Sequence, residues 1–138
     1  MKTIVLVFTM LVLSFNLCFS QSKEEESKEK VNKQSVLIFK NTVYDYGTIN
    51  KGDDGTAIFQ FKNITKDNVQ LTNVKASCGC TDTDWSREPI KKKKTGEIKV
   101  KYDTNIVGKF HKIIYVYIDK LENPLKLEIK GEVINPTI

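Results

Sequence analysis

The segment Leu125-Lys126-Leu127-Glu128-Ile129-Lys130-Gly131-Glu132-Val133 alternates small or apolar residues with charged ones without a break. A period of two puts successive side chains on opposite faces of an extended chain. The stretch therefore predicts a strand with one buried and one solvated face. Just upstream, Phe110 to Ile118 is apolar on both parities after Lys112, which predicts a central strand covered on both sides.

The same signal recurs towards the N-terminus. Ile98, Val100 and Tyr102 alternate with Lys99 and Lys101, and Phe59 and Phe61 alternate with Gln60 and Lys62. Val69 and Leu71 begin another strand, but Val74, Ala76, Cys78 and Cys80 fall on the opposite parity. A β-bulge near Thr72-Asn73 accounts for that shift. Val36–Phe39 and Val43–Ile49 open the domain. Asn50-Lys51-Gly52-Asp53-Asp54-Gly55 and Thr65-Lys66-Asp67-Asn68 have turn composition. About seven short strands across residues 35–135, with no convincing amphipathic helix, predict an all-β sandwich, with a small closed barrel as the alternative.

Residues 1–20 have the pattern of an export signal. Lys2 precedes an apolar run from Ile4 to Leu13, and Cys18-Phe19-Ser20 reads small-x-small before Gln21, so cleavage is expected between Ser20 and Gln21. Asn16 interrupts the apolar run, which falls short of the roughly 20 residues of a spanning helix. No stable membrane span is expected after cleavage. Lipidation at Cys18 is the competing pattern, disfavoured by the bulky Leu17 before it. Residues 21–34 are a charged, flexible tether. Glu24/Lys28 and Glu26/Lys30 have helical spacing, yet Val31 is the only aliphatic residue they bring.

The formal charge of +5 over 138 residues is mild and spread through the chain. Outside the cytoplasm it suits anionic envelope components better than nucleic acid. Signal cleavage would leave Cys78 and Cys80 as the only cysteines, in a compartment where thiols pair. Their spacing is not that of a thioredoxin-type C-x-x-C, and no second pair completes a zinc site.

Tyr44-Asp45-Tyr46-Gly47-Thr48-Ile49, Lys51-Gly52, and Ala76-Ser77-Cys78-Gly79-Cys80-Thr81 with Trp85 resemble the bacterial domain-of-unknown-function family 1573. Gly96-Glu97-Ile98-Lys99-Val100 and Ile129-Lys130-Gly131-Glu132-Val133 match its later segments, so the resemblance runs from about Phe39 to Val133. It implies an exported immunoglobulin-like β-sandwich of about seven antiparallel strands, similar to modules of the sperm-protein and Hydin type, with no established activity. Where the family has a Pro-Gly turn after its Trp-x-x-x-Pro segment, this chain has Ile90-Lys91-Lys92-Lys93-Lys94-Thr95, a cationic tip.

Cys78 and Cys80 sit two apart, so on an extended chain both face one side. Several readings stay open: a small-ring disulfide prone to exchange, a thiol pair for a soft ion such as Cu(I), buried apolar fillers around Gly79, or pairing to another chain. Asp82 and Asp84 share that parity if the strand continues, and read as a solvated strand end. His111, the only histidine, has no sequence-local partner. Lys91–Lys94 read as a solvated loop, with anionic headgroups as the other reading. Trp85, Tyr44 and Tyr46 read as packing residues. Asn63-Ile64-Thr65 matches a glycosylation sequon, and the resemblance to a bacterial family implies that the match is accidental. No catalytic, cofactor or metal role is assigned to any residue. The expected function is an exported, non-catalytic structural or interaction module of the bacterial envelope, meeting an envelope protein or surface component. The alternative is thiol-redox or soft-metal handling through Cys78 and Cys80.

Overall fold

The computed structural model describes residues 36–136. The signal segment with its Ser20–Gln21 cleavage point, and the tether 21–34, lie outside the described residues. The order is β1 (Leu37–Phe39), β2 (Val43–Asn50), β3 (Thr56–Asn63), β4 (Leu71–Ala76), β5 (Thr81–Trp85), β6 (Thr95–Tyr102), β7 (Gly108–Ile118) and β8 (Leu125–Ile134). They form two four-stranded sheets, β1-β3-β6-β5 and β2-β8-β7-β4, which enclose one core.

Two features correct the expected strand set. The described residues hold eight strands, because Ser77–Cys80 leaves the extended conformation and the chain resumes as β5 in the other sheet. The strands are also not all antiparallel, since β2 runs parallel to β8 from Val43↔Glu128 to Asn50↔Ile134. The cause is a sheet change at Asn41. The Lys40 N–H still donates to the Gln60 carbonyl of β3, while the Thr42 carbonyl already accepts from Glu128 of β8. The chain crosses without reversing, so it enters the second sheet alongside the last strand.

The bulge expected near Thr72-Asn73 is present: Leu71 pairs with Ile118 but Asn73 with Tyr117, leaving Thr72 unmatched. The alternation in β8 also holds, with Leu127, Ile129 and Val133 buried and Lys126 and Lys130 exposed. Phe59, Phe61, Ile98 and Val100 line the core from the first sheet, and Ile114, Val116, Leu127 and Ile129 from the second.

The central strand β7 differs from its reading. Phe110, Ile114, Val116 and Ile118 are buried, but Ile113 and Tyr115 on the other face are only half-buried and Tyr117 is 37% exposed. In the plane of the sheet β7 is central, between β8 and β4. Among the described residues the two-layer sandwich has no element to place over its outer face.

The Tyr-Asp-Tyr-Gly segment has a local explanation. Asp45 Oδ1 accepts from the Gly47 N–H at 2.8 Å, and Gly47 takes φ +62°, a left-handed conformation that glycine adopts without a Cβ penalty. The register with β8 jumps there, between Asp45 and Thr48. Tyr46 then lies across Gly131, where a Cβ would come within 2.9 Å of Tyr46 Cβ. Its ring packs on Phe110 (centroids 5.5 Å), which stacks on Tyr102 at 3.8 Å.

Candidate functional site

The site is built where the chain changes sheets between β4 and β5. Ser77 is fixed to β7 twice: its N–H donates to the Ile113 carbonyl at 2.9 Å, and its Oγ accepts from the Ile113 N–H at 3.2 Å. Past the turn, the Cys80 carbonyl accepts from the Asp103 N–H at 2.9 Å. Thr83 Oγ1 donates to the Val74 carbonyl at 2.9 Å, tying the two edge strands together across the corner.

Cys78 and Cys80 are joined as a disulfide across Gly79, with Cα atoms 5.4 Å apart. An extended chain would separate them by about 6.6 Å, so the pair sits in a turn and the parity argument through it does not apply. Both residues are half-buried, and Cys80 packs against the core. Thr81 is buried, and its Oγ1 lies 3.8 Å from each sulfur. Lys112 shares the core-facing parity of Phe110 and Ile114, is half-buried, and adjoins the Ile113 that holds Ser77. Asp103 also starts the β6–β7 turn, closed by the Ile106 N–H to the Asp103 carbonyl at 3.2 Å. That turn presents Ile106 and Val107 to solvent at 45% and 47% exposure.

The other candidates lie elsewhere. Asp82 and Asp84 are exposed on the outer face of the first sheet, opposite Lys101 and Lys99, and do not join the cysteines. His111 does have a partner, Glu128, with Nε2 to Oε2 at 2.7 Å. The two are 17 residues apart, a distance that only strand pairing closes. Trp85 packs against the core, with the Arg87 guanidinium 3.5 Å above its ring centroid. Burial is the main cause that pushes the Tyr46 phenol far above its ordinary range, with Tyr44 and Asp54 adding to it. Its hydroxyl donates to the Gly55 carbonyl at 2.6 Å. Burial, then the charge of Asp103, raises Tyr102 as well.

Two residues carry structure that the sequence signal did not separate out. Asn63 is fully buried and its side chain is saturated: Nδ2 donates to the Asp67 and Ile90 carbonyls, while Oδ1 accepts from the Thr65 N–H and hydroxyl. An amide so engaged is no glycan acceptor. The Asn-x-Thr pattern here is an Asx-type turn. In the lysine loop, the Lys94 N–H donates to the Lys91 carbonyl at 3.0 Å and Lys93 takes φ +61°. Lys93 thus stands at the third turn position, where positive φ favours glycine.

Two sheets sharing a divided first strand, with its second part parallel to the last strand, form an immunoglobulin-like sandwich similar in fold to PapD-like domains. The ASH/PapD-like domain 7 of human CEP192 superposes with a TM-score of 0.62 at 9% identity, over 74% of this chain and 87% of that one. Within that class, the chain belongs to the family described as proteins of unknown function, DUF1573, whose model matches residues 37–133. A protein of unknown function from Porphyromonas gingivalis W83 is similar at TM-score 0.62 and 16% identity over 70% of this chain. This chain spans 46% of that protein's length. A family 123 glycoside hydrolase from Clostridium perfringens contains a similar fold (TM-score 0.58, 12% identity, 69% of this chain and 23% of that one). At these identities the likeness is one of fold. No curated protein matches the sequence.

Proposed function

We propose that the domain is an exported interaction module of the bacterial envelope, acting by docking a protein partner and not by turning over a small molecule. The observation that carries this reading is the outer face of the second sheet. Ile113, Tyr115 and Tyr117 stand along β7, and Val43, 43% exposed, reaches the same face from β2. Among the described residues no element lies over them. Apolar and aromatic side chains in the middle of an open sheet resemble the core of an interface, which is where most binding energy concentrates. Lys75 and Lys126 lie on either side of Tyr115 in register, and Glu128, bound to His111, lies between Ile113 and Val43, so the face fits a partner with an apolar centre and polar groups of both charges around it. Export is supported by the pattern of residues 1–20, with Gln21 as the first mature residue.

The test compares two faces in living cells. A photo-crosslinking residue replacing Tyr117 is expected to give a discrete protein adduct in the envelope fraction. The same residue replacing Lys101, on the outer face of the first sheet, is expected to give none. Tyr115→Ser should abolish the adduct without unfolding the domain. No adduct, or equal adducts from both positions, overturns the docking face. Intact mass of the envelope form checks loss of residues 1–20.

A further inference from the structure

The bond between Cys78 and Cys80 closes a ring over a sequence separation of two. Cross-links stabilise mainly by restricting the unfolded chain, and a ring this small restricts it hardly at all. The corner is, moreover, already fixed by Ser77–Ile113, Cys80–Asp103 and Thr83–Val74 hydrogen bonds. A bridge that adds so little to folding calls for another use, and its surroundings are those of a reactive pair.

We propose that Cys78–Cys80 is a thiol–disulfide exchange site whose substrate is a dithiol of another protein. This goes beyond the docking reading and does not depend on the outer face of the second sheet. The two sulfurs are not equivalent. Cys80 packs on the core and its carbonyl is held by Asp103, whereas Cys78 has neither restraint. Cys78 is therefore the sulfur that an incoming thiolate reaches. Attack forms a substrate–Cys78 disulfide and breaks the Cys78–Cys80 bond, and the electron pair leaves on Cys80. There the buried Thr81 hydroxyl, 3.8 Å from that sulfur, is placed to donate a hydrogen bond to the thiolate. A second substrate thiolate then attacks its own sulfur and displaces the Cys78 thiolate, which Thr81 also reaches at 3.8 Å. Water protonates the released pair. The substrate dithiol is oxidised to a disulfide by two electrons, and the Cys78–Cys80 bond is reduced by the same two.

Substrate class follows from what flanks the pair. Asp103, whose N–H donates to the Cys80 carbonyl, begins the turn that exposes Ile106 and Val107, so an apolar tip follows three and four residues along the chain from that contact. A small thiol such as glutathione has no use for that tip, whereas an unfolded chain presenting cysteines among apolar residues does.

The experiment uses the exported full-length protein with two probes, glutathione and reduced, unfolded ribonuclease A. Oxidised protein is expected to exchange with both in its folded state. Challenged with oxidised glutathione, Cys80→Ser should form a mixed disulfide at Cys78 about 10-fold faster than Cys78→Ser does at Cys80. Thr81→Val should slow exchange about 3-fold, what one unit in thiol pKa is worth at a Brønsted slope of about 0.5, while Thr81→Ser keeps the wild-type rate. Ile106→Ser with Val107→Ser should slow the reaction with ribonuclease A and leave that with glutathione unchanged. A bond that stays closed in both probes until the protein is unfolded overturns the proposal, and the two single-cysteine comparisons decide it even if Thr81→Val fails to fold. Equal rates for the two cysteine variants overturn the assigned roles. Equal slowing with both probes overturns the protein-substrate assignment.

Discussion

At the end of the sandwich that carries Cys78 and Cys80, several loops are sewn to one another by independent bonds. Tyr46 reaches Gly55 at 2.6 Å, Thr104 reaches Asp53 at 2.7 Å, Lys51 donates to Ile134 at 2.8 Å, and Asp103 donates to Cys80 at 2.9 Å. At the opposite end, the β3–β4 connection and the Ile90–Lys94 segment meet through a backbone pair, Val69 and Ile90 exchanging hydrogen bonds of 3.0 and 2.7 Å, and through one fully buried side chain. Asn63 joins Asp67, Ile90 and Thr65, and its own N–H donates to the Lys94 carbonyl at 2.9 Å. The first end spreads its loop-to-loop bonds over several residues, whereas the second gathers most of its side-chain bonds on Asn63. A frame spread over several residues lets a bond be opened without loss of structure, which an exchanging disulfide needs.

The largest effect separating the ends is therefore expected at Asn63. Asn63→Ala leaves the Thr65 N–H without its acceptor and takes one donor each from the Asp67 and Ile90 carbonyls, which keep Thr65 Oγ1 and the Val69 N–H, and should cost about 2–3 kcal/mol in urea unfolding. Asn63→Asp should be no better, because its carboxylate would face two carbonyl oxygens. A cost under about 1 kcal/mol would mean that the Val69–Ile90 backbone pair, and not Asn63, holds the lysine end.

Tyr46→Phe removes one bond from the first end and should cost only about 1 kcal/mol. It also changes the alkaline limb of the stability curve. The folded-state pKa of Tyr46 is raised, chiefly by burial. From about pH 10 upward the unfolded chain loses the phenol proton while the folded state keeps it. The unfolded state then binds fewer protons, so stability falls as pH rises. The contribution is whole below the unfolded pKa and is lost as pH climbs towards the folded one. Tyr46→Phe should flatten this fall, leaving the part due to Tyr102. An unchanged alkaline limb would contradict the buried, neutral phenol.

A smaller effect of opposite sign is expected in the lysine loop. Lys93→Gly relieves a left-handed lysine and should gain roughly 0.5–1 kcal/mol, the strain outweighing the entropy glycine loses on folding. Lys92→Gly has no such strain to relieve and should lose stability slightly. Thermal melts of both variants distinguish a local turn effect from simple removal of charge.

Much of the sandwich is readable from periodicity, because β6 and β8 alternate apolar residues with lysine or glutamate and the bulge at Thr72 leaves a visible change of parity. The parallel pairing of β2 with β8 has no such signal. It follows from one sheet crossing at Asn41, which local sequence does not mark. The apolar outer face of β7 was visible, but periodicity cannot distinguish a face covered by the same chain from one left open. The cysteine spacing was equally plain. The Thr81 hydroxyl beside it was not, since parity presumed an extended chain through Ser77–Cys80. The His111–Glu128 pair and the Asn63 network required strand register and loop closure respectively, neither of which residue spacing contains.

The smallest predicted effect is also the most direct test of the reactive-pair reading. Urea unfolding of the exported protein, oxidised and then with Cys78 and Cys80 reduced, should give the same folded spectrum and unfolding free energies differing by less than about 1 kcal/mol, below the 2–4 kcal/mol typical of bridges. A cost within that typical range, or unfolding on reduction, would make the bond a structural staple and contradict its assignment as a site of exchange.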